Sequence, residues 1–195
     1  MEQMLQKTNN MKKLIFAASL LATLAVSYAF IAPNNPSVAS VAEEEIKWYS
    51  WEEAIAKMEE SPKKLFVDVY TDWCGWCKRM DATTFKEPKV VQYMNENFYA
   101  VKLDAEQKED IEYDGKTLKF IDSGRRGVHE LAYALLNGRL SYPSYVYLDE
   151  EQRRITISPG YKPADTMIKE LKWISEDHFK DTPYKEYMNK ADGEK

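Results

Sequence analysis

The only two cysteines of this 195-residue chain are Cys74 and Cys77, in the run Trp73-Cys74-Gly75-Trp76-Cys77-Lys78. Two sulfurs three positions apart, directly after the apolar stretch Leu65-Phe66-Val67-Asp68-Val69-Tyr70, suit thiol–disulfide exchange. At a helix N-terminus the unpaired N–H groups and positive potential favour thiolate over thiol. With cationic neighbours, such placement lowers a cysteine pKa from about 8.5 into a range of roughly 3.5–7.5. The second sulfur, one turn further on, can then resolve a mixed disulfide by attacking back. A purely structural cross-link is the weaker reading, because closing so short a loop restrains the unfolded chain little. A zinc site needs four ligands, and His129 and His178, the only histidines, stand at no familiar spacing from the cysteines. No metal is expected.

The elements that position this pair follow from the patterning around it. Ser50 and Glu53 fit a capping box, and behind them Trp51, Ala54, Ile55 and Met58 share one helix face up to Ser61-Pro62. Lys64–Tyr70 reads as a buried strand. After the cysteines Lys78–Asp81 continue a helix that breaks near Lys86-Glu87, and Pro88 opens a second helical stretch to Asn95. Tyr99–Asp104 is the next strand. Residues 105–126 form an insertion packed on the domain, with Asp114-Gly115 marking a two-residue hairpin turn. Val128, Leu131, Ala132 and Leu135 outline a helix stopped by Gly138 at C′. Two strands, Ser144–Leu148 and Arg154–Ser158, form an antiparallel hairpin. Pro163 opens a last helix with Ala164, Met167, Ile168, Leu171 and Ile174 on one side; its Lys/Glu-rich residues read as ordinary solvated surface. Alternating helices and strands imply parallel crossovers, hence an α/β domain with a mixed central sheet and helices on both faces.

The ends bound where the chemistry happens. Lys12 and Lys13 precede Leu14–Ala32, which holds no charged residue. A basic region, an apolar stretch and small residues beyond it make a secretory signal, or alternatively an uncleaved anchor. Residues 1–42 are thus read as signal or anchor and lead-in, 43–178 as the domain, and 179–195 as a polar tail. The formal charge is −5, and about −7 without residues 1–42, which argues against nucleic acid or an anionic membrane surface as partner. Arg125 and Arg126, between Gly124 and Gly127, read as a solvated helix entrance.

The order of elements together with these residues resembles the thioredoxin fold, and in particular the exported thioredoxin-like proteins of bacteria, over roughly residues 46–176. The resemblance implies a solvent-facing nucleophile in Cys74, a resolving cysteine in Cys77, and no cofactor beyond the redox-active Cys74–Cys77 disulfide. It implies a buried carboxylate in Asp68, six residues before Cys74, and a lysine near it in Lys102. Among apolar neighbours Asp68 should have a raised pKa and can take the proton of Cys77 through a water. Pro143 matches the cis-proline facing the disulfide and Gly160 the glycine after the last strand; with Trp73, Gly75, Trp76 and Tyr142 they would form the substrate groove. Three departures stand out: Gly75-Trp76 replaces Gly-Pro, Tyr142 replaces a smaller residue, and the insertion has no counterpart in minimal thioredoxins. The implied protein is a monomeric cell-envelope oxidoreductase, periplasmic, secreted or membrane-anchored. Its substrates would be protein thiols and disulfides, and its redox partner a membrane electron carrier or an oxidase. The reductase direction is favoured over a disulfide-forming oxidase or a partner-binding module.

Overall fold

A computed structural model describes residues 44–193 except Arg125. The signal or anchor reading of residues 1–42 lies outside the described residues. Among those described, no helix is long and apolar enough to cross a membrane.

The chain enters through a two-residue strand, β1 (Trp48–Tyr49), too short to leave a trace in the sequence pattern. Helix α1 (Trp51–Glu60) follows behind the expected capping box: Ser50 accepts from the Glu53 N–H, and the Glu53 side chain accepts from the Ser50 N–H. Strand β2 (Lys64–Tyr70) is followed by α2 (Gly75–Ala82), a 3-10 turn (Thr84–Lys86), α3 (Pro88–Asn97) and β3 (Phe98–Asp104). The helix break thus comes at Thr83, earlier than Lys86-Glu87.

Residues 105–126 contribute β4 (Ile111–Tyr113), β5 (Lys116–Leu118) and β6 (Phe120–Ile121). Asp114 and Gly115 both adopt positive φ (52° and 67°) between the first two strands, the geometry of a type I′ hairpin turn. Ile111 is buried, and Tyr113 meets Trp51 edge-on at 5.1 Å, so the insertion packs on the α1 side of the domain. Val128 belongs to β7 (Val128–His129), which pairs with β6, and α4 (Glu130–Leu135) starts only after it. His129 caps that helix through its Nδ1, which accepts the Leu131 N–H at 3.2 Å. The helix ends one residue earlier than Gly138 suggests: Asn137 already has φ 53°, followed by Gly138 at 72°. Strands β8 (Ser144–Leu148) and β9 (Arg154–Pro159) and helix α5 (Ala164–Ser175) complete the domain.

The main sheet runs β1-β3-β2-β8-β9, parallel across β1, β3 and β2 and antiparallel from β2 through β8 to β9. Strand alternation sorts the core into two layers. Leu65, Val67, Val69, Val101, Leu103, Val146 and Leu148 pack with α1 and α4. Phe66, Phe98, Ala100, Tyr145 and Tyr147 pack with α2, α3 and α5. Asp68 and Lys102 lie on this second face, in register with each other and, for Asp68, with Tyr145.

Two expectations change at the C-terminal end. The last helix is not solvated along its whole charged side, because Glu170 is fully buried. The described part of the polar tail, residues 179–193, also does more than thin out. After a 3-10 turn (His178–Lys180), helix α6 (Tyr184–Gly193) places Tyr184 against Trp173 at 5.1 Å. Phe179 meets the same Trp173 ring at 6.1 Å, and the polar character of the segment hid these two aromatic anchors.

Candidate active site

Strand β2 leads straight to the sulfurs. The Thr71 carbonyl accepts the Cys74 N–H at 3.0 Å, which closes the turn into α2. Cys74 is the N-cap of that helix: its Sγ accepts the Cys77 N–H at 3.1 Å, and its carbonyl accepts the Lys78 N–H at 3.2 Å. The sulfurs of Cys74 and Cys77 are joined as a disulfide. The resemblance implies a solvent-facing Cys74, but in the disulfide it is only 5% exposed against 2% for Cys77. When the bond opens, the N–H already aimed at Cys74 Sγ and the helix terminus behind it favour the thiolate there.

Asp68 is buried in the middle of β2. Its Oδ2 accepts from Lys102 Nζ at 3.2 Å, while Oδ1 makes no hydrogen bond within the protein. Burial pushes its carboxyl up from 3.8 to about 6; the Lys102 charge opposes this and the nearby Asp81 carboxylate adds to it. Lys102 is shared, since its Nζ also pairs with Asp81 on α2 and lies 5.1–5.7 Å from the ring centroids of Trp48, Tyr70 and Phe85. Asp81 was not singled out by the sequence, though it stands one helical turn after Cys77 on the same helix. With a single lysine that it shares with a second acid, the buried carboxyl keeps its proton to a higher pH than an exposed aspartate does.

The rim comes from three other loops. The Tyr142–Pro143 peptide is cis, and the Pro143 carbonyl accepts the Gly160 N–H at 2.8 Å. Gly160 has φ 92°, a conformation side chains rarely adopt. Trp73 and Trp76 are 51% and 55% exposed, and each leans on a partner. Trp73 meets Tyr142 edge-on at 5.9 Å and carries the Arg126 guanidinium over its ring at 4.1 Å. Trp76 lies against Tyr161 at 5.3 Å, with Arg79 over both rings. Arg126, which the sequence left as a solvated helix entrance, is thus a wall of the rim. Gly75 opens α2 with open space where a side chain would be. The two aromatic walls flank the disulfide, Trp73 through Tyr142 at the cis peptide and Trp76 through Tyr161 beside Gly160.

Comparison with known proteins agrees with this fold. The model of the Thioredox_DsbH family (protein of unknown function, DUF255) matches residues 29–182. The uncharacterized protein B0495.5 of Caenorhabditis elegans is 26% identical over 133 residues, covering 68% of this chain; the chain spans 16% of that protein's length. Among solved structures, a thioredoxin-fold protein from Helicobacter pylori superposes with a TM-score of 0.51 at 16% identity, covering 73% of this chain and 94% of that one. A thioredoxin from Thermus thermophilus does so with a TM-score of 0.50 at 18% identity, covering 67% and 87%. These likenesses establish the thioredoxin fold.

Proposed function

The chain belongs to the thioredoxin-like DsbH (DUF255) family, and on that premise we propose that it is a protein thiol–disulfide oxidoreductase of the cell envelope, working as a reductase. The observation that carries this reading is the sulfur pair itself: Cys74 caps α2 through its Sγ, with Cys77 bonded to it. In the dithiol form the Cys74 thiolate attacks a client disulfide. One client sulfur forms the mixed disulfide, and the other leaves as a thiolate that takes up a proton. Cys77 gives its proton to Asp68, attacks Cys74 Sγ and expels the second client sulfur as a thiolate, which takes up that proton. Two electrons pass from the pair to the client, and the Cys74–Cys77 disulfide is restored. A membrane electron carrier would then reduce it.

Lys102 holds Asp68 in place and tempers its basicity. Trp73, Trp76, Tyr142, Pro143 and Gly160 receive the client segment. The Leu14–Ala32 stretch supports export. The test is capture: Cys77→Ala should accumulate disulfide-linked clients in the native host, and the parent should reduce insulin. Absence of both defeats the exchange reading. The equilibrium with glutathione tests direction, because a strongly oxidising pair overturns the reductase assignment in favour of an oxidase.

A further inference from the structure

A second carboxylate is buried on the same face of the sheet, and the exchange chemistry makes no use of it. Glu170 sits on the apolar side of α5 between Met167, Leu171 and Ile174, and none of its surface is exposed. A charge placed there is costly unless paired and fully hydrogen-bonded, and Glu170 has four partners. Its Oε1 accepts from Tyr147 OH at 2.8 Å. Its Oε2 accepts from Ser158 Oγ at 2.8 Å and Tyr184 OH at 2.7 Å, and pairs with Lys162 Nζ at 3.1 Å. Burial and the facing carboxylate hold the Tyr147 and Tyr184 phenols above the ordinary tyrosine range, so both remain donors.

Lys162 connects this cluster to the disulfide. Its side chain is buried against Glu170, its N–H donates to Met80 Sδ at 3.4 Å, and its carbonyl accepts from Thr84 Oγ1 at 2.6 Å. Met80 lies on α2 and Thr84 in the turn after it, so the lysine is fixed at both its backbone and its head. The two residues before it are Gly160, bonded to the Pro143 carbonyl, and Tyr161, on which Trp76 leans. The Gly160–Lys162 segment thus has one end on the cis-proline, one side on the cysteine helix, and a buried anchor in Glu170.

We propose that Glu170 is a positioning residue for the rim of the disulfide site. Through Lys162 it sets where Tyr161 and Trp76 stand, and through Tyr184 it makes the C-terminal helix part of that support. The proposal rests on the exchange function for its effect on clients, but not for its effect on Trp76. A protein client that lies along the Trp76–Tyr161 wall depends on the anchor, whereas a small disulfide that reaches only the sulfurs does not.

The experiment uses the full chain carrying 5-fluorotryptophan, with the Trp76 fluorine signal assigned by its loss in Trp76→Phe. Glu170→Gln keeps the shape and removes the charge facing Lys162; Tyr184→Phe removes one hydroxyl and covers the case in which Glu170→Gln does not fold. In a folded variant the Trp76 signal should move. The KM for insulin should rise roughly threefold or more with kcat retained, and the rate with glutathione disulfide should stay at the parent value. A Trp76 signal at its parent position, or an insulin KM at the parent value beside a moved signal, overturns the proposal. Equal losses toward insulin and glutathione disulfide overturn it too, since they mark general disruption. A parent inactive toward both disulfides counts against the exchange function instead, and the fluorine signal then decides the positioning role alone.

Discussion

Asp68 and Glu170 are both carboxylates buried on the same face of one sheet, yet the protein treats them in opposite ways. Glu170 is saturated: three hydroxyls and an ammonium occupy its oxygens. Asp68 has one lysine on Oδ2, shared with Asp81, and no partner within the protein on Oδ1. Burial alone would make either a burden. What separates them is the number of donors on the charged form. A fully met carboxylate becomes a fixed point in the architecture. An under-met one has its proton affinity raised by burial, the feature on which the proposed chemistry of Asp68 rests.

The contrast can be broken most severely at the saturated end. Glu170→Ala strips four partners at once and leaves Lys162 buried without its countercharge, so it should cost about 3–5 kcal/mol of stability. Chemical denaturation at neutral pH measures this, and a loss near zero would show that the network carries no structural weight.

Asp68→Asn should have the opposite sign. The rise from 3.8 to about 6 means that between these pH values the folded chain holds a proton the unfolded chain has lost. Stability therefore falls as pH rises through that window and stays low above it. Removing the charge should restore about 3 kcal/mol above pH 6 and flatten the slope below it. The same variant should slow resolution of the mixed disulfide by about 10²-fold. Equal resolution rates in variant and parent across roughly pH 6–9, the range that brackets the cysteine pKa, would remove Asp68 from the mechanism.

The smallest effect sharpens the comparison at the lysine. Lys102 pulls the Asp68 carboxyl down by its charge and its hydrogen bond. In Lys102→Met that restraint is gone while Asp81 remains. Carbon NMR of the Asp68 carboxyl should then show a midpoint above about 6. A midpoint that stays put or falls would mean that burial, not the lysine, fixes the value.

What the sequence determined by itself is local. Ser50 and Glu53 form their capping box, Asp114-Gly115 turns its hairpin, and Lys64–Tyr70 is a strand from end to end, because each depends on neighbours within a few residues. The cysteine pair was legible for the same reason: its partner is three positions away. Asp68, Lys102, Pro143 and Gly160 were singled out through resemblance, which carries long-range information that spacing lacks. The tertiary structure alone decided the rest. Asp81 turns toward Lys102, Arg126 closes over Trp73, and Tyr184 returns to Glu170, each by contacts made far along the chain. Glu170 did leave a trace, falling three residues after Met167 on the apolar face of α5. A lone charge at such a position signals a buried partner set, but only the folded sheet, the loop after β9 and the last helix could supply the hydroxyls and the lysine that make it tolerable.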